Sequence, residues 1–129
     1  MSAMPFELSI QREFCAAHAI HIRGRREPVH GHNWRVRLWV RAESLDEDGL
    51  IVDFHELENA LDAVIAPWHN ADLNAVDPFD RLNPTAEHVA REIAQRVREK
   101  MGFDDGSPHD VSRVEVSEAP GCYAIYTTL

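Results

Sequence analysis

The stretch that most restricts this chain is His30-Gly31-His32-Asn33-Trp34, because it opens a long alternating run. From His30 to about Ala42 the even positions Trp34, Val36, Leu38 and Val40 are apolar, and the odd positions Arg35, Arg37 and Arg41 are basic. A period of two is that of a strand with one buried face, so His30 and His32 project side by side on the inner face. A second alternating run, Phe6 to Ala17, sets Phe6, Leu8, Ile10, Phe14 and Ala16 against Glu7, Ser9, Gln11 and Glu13, and His18 ends it with the parity of Ala16. Cys15 has the opposite parity and is a poor partner for His18 at one metal. Three neutral imidazoles on the inner faces of neighbouring strands, with one coordination position left open, are the layout of a catalytic zinc (Zn2+) site.

At 129 residues the chain is long enough for one domain, 1–129, with a proper core. No apolar stretch approaches the roughly 20 residues of a membrane span. The first residues, Met1-Ser2-Ala3-Met4-Pro5, lack the basic-then-apolar pattern of a signal peptide. A cytoplasmic location without membrane association is expected. A net charge of −9 argues against a nucleic-acid partner, since phosphate backbones need a basic face. Cys15 and Cys122 form no CxxC pair, and a reducing compartment would leave them unpaired. The local exception to the acidic balance is Arg23-Gly24-Arg25-Arg26, just before the histidine pair, which could hold an anionic part of a substrate.

Further along, Asp53-Phe54-His55-Glu56 has the form of a capping box. It introduces a helix with Leu57, Leu61, Val64 and Ile65 on one face, stopped by Pro67. Residues 68–83 read as irregular. Asn83-Pro84-Thr85 starts a second helix, with Pro84 in its first turn. Val89, Ile93, Val97 and Met101 form its buried stripe, and Gly102 ends it. Val111 to Glu118 alternates as a third strand, Ala119-Pro120-Gly121 turns the chain, and Cys122 to Thr128 makes a fourth. The predicted order β-β-α-α-β-β gives an α+β fold: a four-stranded antiparallel sheet with both helices on one face. Its exposed edges predict self-association.

Taken together, several segments resemble the family of 6-pyruvoyl- and 6-carboxy-tetrahydropterin synthases. They are Phe14-Cys15-Ala16-Ala17-His18, His30-Gly31-His32-Asn33-Trp34, Gly49-Leu50-Ile51-Val52-Asp53-Phe54, Leu73-Asn74, Asn83-Pro84-Thr85-Ala86-Glu87 and Glu118. The resemblance covers nearly the whole chain. It implies the tunnelling (T) fold, in which trimers close their sheets into a barrel and stack as hexamers. It implies zinc on His18, His30 and His32, and a small-molecule pterin substrate, usually 7,8-dihydroneopterin triphosphate, bound between subunits. Glu118 matches the glutamate that anchors the pterin ring, a role suited to a carboxylate accepting two parallel N–H bonds.

Two departures from the family pattern stand out. The usual cysteine base lies four residues before the first histidine of His-Gly-His, where this chain has Arg26; Glu27 follows it, giving Glu27-Pro28-Val29-His30-Gly31-His32. This resembles the branch in which glutamate replaces cysteine, which is associated with forming 6-hydroxymethyl-7,8-dihydropterin, a folate precursor. A partly desolvated carboxylate can serve as that base. The usual Asp-His pair is also altered: either Trp68 stands for the aspartate, or His69 does and Asn70 stands for the histidine. His69 then remains the candidate proton shuttle, with Asp72 available to orient it.

The resemblance implies a lyase in which Glu27 removes a proton, His69 returns one, and Arg26 or its neighbours hold the triphosphate. The alternatives are a 6-carboxy- or 6-pyruvoyl-type synthase serving queuosine or tetrahydropterin synthesis, and a non-catalytic zinc- and pterin-binding paralogue. Asp53, Thr85 and Glu87 are expected to be helix-terminus residues, and His21, His55, His88 and His109 are given no role at the metal.

Overall fold

The computed structural model describes residues 3–128. Two long antiparallel strands, β1 (Phe6–His18) and β4 (His30–Ala42), pair along their whole length from Phe6 opposite Ala42 to His18 opposite His30. Between them β2 (His21–Ile22) and β3 (Arg25–Arg26) form a small separate ribbon. After α1 (Phe54–Ile65), the two-residue β5 (Ala71–Asp72) runs parallel to the end of β1, and a 3-10 turn follows at Leu73–Ala75. Then come α2 (Ala86–Met101), β6 (His109–Ala119) and β7 (Cys122–Thr127), in a sheet of order β5-β1-β4-β6-β7. The four expected strands and two helices are present. The sheet is corrected from four strands to five, and from wholly to mainly antiparallel. The missed strand is too short to carry a periodic signal.

The apolar parity of each strand faces the helices. Phe14, Trp34, Val36, Leu38, Val40, Val114 and Val116 are buried there against Leu57, Leu61, Val89, Ile93 and Val97 of the two helices. Both helix starts are capped as their sequences demand. Asp53 accepts from the His55 N–H, and Thr85 from the His88 N–H, so Pro84 precedes the helix instead of entering its first turn. Gly102 closes α2 at φ +71°, a left-handed conformation that disfavours any side chain. Arg98 forks onto Asp110 with two bonds of 2.7 Å, tying the end of α2 to the start of β6.

The alternation of β6 contains a break that the sequence does not advertise. Its register to β4 shifts between Trp39 and Val40, leaving Ser112 as an extra residue. Val111 and Val114 therefore both point inward, three positions apart, and Val111 does not share the outward parity of Arg113. On the helix-free face Trp39 is buried between Arg37 and Arg113, whose guanidinium carbons lie 4.8 and 4.0 Å from its ring. Tyr123 and Ile125 stand exposed on the edge strand β7. No helix among the described residues is long and apolar enough to cross a membrane.

Candidate metal centre

The shared ends of β1 and β4 place the three histidines together. The register sets His18 opposite His30 and Ala16 opposite His32, so the rings project from adjacent positions on one face. Trp34 floors them, its ring centroid 4.9 Å from that of His18 and 5.8 Å from that of His32. One ligand atom from each histidine lies within 4.8 Å of the other two.

The surrounding carbonyls fix which nitrogen is available. His18 Nδ1 lies 2.8 Å from the Pro84 carbonyl, and His30 Nδ1 lies 2.9 Å from the Pro28 carbonyl. A carbonyl only accepts, so each Nδ1 carries the proton and each Nε2 presents a lone pair. Those two Nε2 atoms are 3.1 Å apart. His32 Nε2 is buried without any hydrogen-bond partner. Glu118 brings a carboxylate oxygen to 3.5 Å from His18 Nε2, and Glu27 brings one to 3.6 Å from His30 Nε2. Acceptors from His18, His30, Glu27 and Glu118 thus converge, with the unpartnered His32 Nε2 beside them. Such a cluster repels itself unless a cation lies within it, so the donor set fits a divalent metal. Burial lowers the pKa of His32, His18 and His30 lower it further, and the nearby Glu118 opposes them. A lowered value keeps the ring neutral and ready to ligate.

The segment between the strands is held from two sides. Asn74 accepts the Ala19 N–H at 2.7 Å and donates to the Ala19 carbonyl at 2.9 Å. Asn83 does the same for His21, at 2.9 and 3.0 Å. Ile20, between them, bonds the other way. Its N–H reaches the Glu27 carboxylate at 3.2 Å, and its carbonyl accepts the Glu27 N–H at 3.0 Å. Neither asparagine is given a role of its own in the sequence, although they lie in the resembling segments Leu73-Asn74 and Asn83-Pro84-Thr85.

Five of the seven residues singled out from the sequence, His18, His30, His32, Glu27 and Glu118, therefore share one site. Gly31, His32, Ser117 and Glu118 also line a recess of about 310 Å³ beside it. The β6–β7 register shifts between Val116 and Ala119, so Ser117 and Glu118 together face Tyr123 in a bulge that helps aim the glutamate. His69 is elsewhere. Its Nδ1 accepts the Cys15 N–H at 3.2 Å at the edge of β1, and it makes no hydrogen bond or ion pair with the triad. Asp72 does not orient it, because that carboxylate caps the Asn74 N–H. Arg26 is exposed on β3 and lines a separate cavity of about 600 Å³ with His21, Arg81 and Asn83. Trp68, at the position of the altered Asp-His pair, is buried core: its Nε1–H donates to the Asp77 carbonyl at 3.1 Å.

The family model for 6-pyruvoyl tetrahydropterin synthase matches residues 7–128. The chain belongs to that family. It is 32% identical over 127 residues to the 6-carboxy-5,6,7,8-tetrahydropterin synthase of Bacillus subtilis, covering 94% of this chain and 84% of that protein. It is 31% identical over 101 residues to the dihydroneopterin monophosphate aldolase of Pyrococcus furiosus, covering 78% and 82%. The fold matches the 6-pyruvoyl tetrahydropterin synthase of Caenorhabditis elegans over 100% of both chains, with a TM-score of 0.82 at 22% identity. The T-fold expected from the sequence is thus the observed fold, and the relatives process pterins.

Proposed function

We propose that this family member is a zinc-dependent lyase that cleaves the side chain of a phosphorylated 7,8-dihydroneopterin, releasing 6-hydroxymethyl-7,8-dihydropterin. The observation that carries the reading is the convergence of three histidine side chains and two carboxylates, Glu27 among them, at one point. Zinc held by His18, His30 and His32 would supply Lewis acidity towards the two side-chain hydroxyls. Glu27 takes the proton from the C2′ hydroxyl. The electron pair left on that oxygen becomes a C2′ carbonyl, the C1′–C2′ bond breaks, and its electrons pass through C1′ into the C6=N5 imine of the ring. Return of a proton to C1′ leaves the hydroxymethyl group, and a phosphorylated glycolaldehyde departs.

His69 is the proposed donor of that last proton. Because its Nδ1 accepts a backbone N–H, the neutral ring carries its proton on Nε2. Because His69 makes no hydrogen bond or ion pair with the triad of its own chain, this role goes with a substrate bound between subunits, as in a trimer or a dimer of trimers. The exposed apolar residues of β7 support such an assembly. Glu118 is proposed to bind substrate. Its closeness to His18 favours the hydroxylated tail over the amino-pyrimidinone edge, which lies across the full width of the bicyclic ring. Arg26 is proposed to hold the phosphates. Both cysteines are free and exposed, in keeping with a cytoplasmic enzyme.

The similarity to a dihydroneopterin monophosphate aldolase supports carbon–carbon cleavage. A second reading, 6-carboxy-tetrahydropterin synthesis with Glu27 in place of the missing cysteine, is favoured by the similarity to the Bacillus subtilis synthase over most of the chain. Zinc-loaded protein supplied with 7,8-dihydroneopterin mono- and triphosphate separates the two. Hydroxymethyl-dihydropterin is the expected product; carboxy- or pyruvoyl-tetrahydropterin would replace the first reading by the second. Pterin binding without turnover would leave a non-catalytic paralogue.

A further inference from the structure

We propose that Asn74 and Asn83 are positioning residues for the base, an inference that rests on the reading of Glu27 as that base. In an extended segment the backbone groups of residues i and i+2 point to one side and those of i+1 to the other. Residues 19–21 follow this rule at the open end of the β2–β3 ribbon, whose strand pairing stops at His21 with Arg26. The two carboxamides stand in for one neighbour, each giving an acceptor and a donor to a single residue, Ala19 or His21. Glu27 stands in for the other, using its backbone N–H and its carboxylate on Ile20. The Ile20 N–H that locates the Glu27 carboxylate is therefore held through the two asparagines on one side and through the end of the β2–β3 ribbon on the other.

The same two segments also reach the metal side. Pro84, next to Asn83, gives the carbonyl that orients His18, and His18 immediately precedes Ala19. Yet the ring of His18 is held by that carbonyl and by Trp34, neither of which uses an asparagine side chain. Removing a carboxamide is thus expected to loosen the base while leaving the triad. The chemistry singles out asparagine. Aspartate keeps the size and the acceptor, but it sets a negative oxygen against the Ala19 or His21 carbonyl.

The test compares Asn74→Ala, Asn74→Asp, Asn83→Ala and Glu27→Ala in the full chain. It reads zinc content, KM, kcat on 7,8-dihydroneopterin triphosphate, and hydrogen exchange at the Ile20 amide. Asn74→Ala and Asn83→Ala are expected to keep one zinc per chain and a KM within about twofold, while kcat falls roughly 10- to 100-fold, as for other supporting residues. The Ile20 amide should exchange faster, and Asn74→Asp should not rescue kcat. Wild-type kcat and slow Ile20 exchange in the alanine variants, with Glu27→Ala inactive, would overturn the positioning role alone. A fully active Glu27→Ala would overturn the base itself. If Asn74→Ala fails to fold, Asn83→Ala, which leaves buried Ala19 bonded, decides; loss of the fold in every asparagine variant would make the clamps structural and refute the proposal.

Discussion

Replacing Trp68 by alanine separates two meanings of that residue. It occupies the place of a catalytic aspartate in one alignment with the family pattern, yet it is 1% exposed. Its ring lies 5.1 Å from Phe79 and 6.2 Å from Phe14, centroid to centroid. Burying an aromatic side chain removes about 150–250 Å² from water, worth roughly 4–6 kcal/mol at about 25 cal/mol per Å². Measured losses for large aromatic-to-alanine changes in cores run about 3–5 kcal/mol, so the two routes agree. The lost bond to the Asp77 carbonyl adds about 1 kcal/mol at most, since water can reach that loop. Against a typical total of about 5–15 kcal/mol this is about a quarter of the stability or more, and Tm should fall by roughly 10–20 °C. Trp68→Phe keeps most of the ring contacts and should cost about 1–2 kcal/mol. Urea unfolding at fixed protein concentration gives the stabilities, and turnover per folded molecule gives the activity. A core residue predicts a large stability loss with kcat almost unchanged. A loss under about 1 kcal/mol, with kcat falling instead, would refute the structural assignment.

Other consequences follow from the site. Glu27→Ala should lower kcat on the order of 10²–10⁴-fold with zinc content unchanged, the usual worth of a positioned base; equal activity in wild type and variant removes the assignment. Arg26→Ala should raise KM for the triphosphate roughly tenfold and leave KM for unphosphorylated 7,8-dihydroneopterin unaltered. The metal-free protein should lose stability on acidification. Burial holds His32 below its ordinary value, so the unfolded chain takes up the proton first as pH falls. This contribution is complete above about pH 6.5 and is lost as the pH drops from there through the folded value of His32. Chelator-treated protein unfolded in urea at pH 7.5 and 5.5 should show the drop, and His32→Gln should flatten it. A metal-free protein that gains stability in acid contradicts the sign.

Much of this was legible in the chain because the informative signals are local. Alternation on β1 and β4 placed His18, His30 and His32 on one face, and the registers follow from burying Phe14, Trp34 and Val36 together. Asp53, Thr85 and Gly102 announced the helix ends by residue type. What escaped depends on tertiary partners. The bulge at Ser112 is set by pairing with β4, not by its own sequence. β5 consists of two residues held by their neighbour on β1. The placing of His69 beside β1, where its Nδ1 accepts the Cys15 N–H, depends on a partner more than fifty residues away. Asn74 and Asn83 are given no role of their own because their partners, Ala19 and His21, lie more than fifty residues away.

The account stands on a cation bound by three imidazoles. X-ray absorption at the zinc edge of the loaded wild-type protein tests it directly. One zinc per chain is predicted, with three histidine nitrogens at about 2.0–2.1 Å and light oxygen scatterers completing the shell; the zinc should be lost in His30→Ala. A sulfur scatterer at about 2.3 Å, or stoichiometric zinc that survives the His30 and His32 replacements, would contradict it.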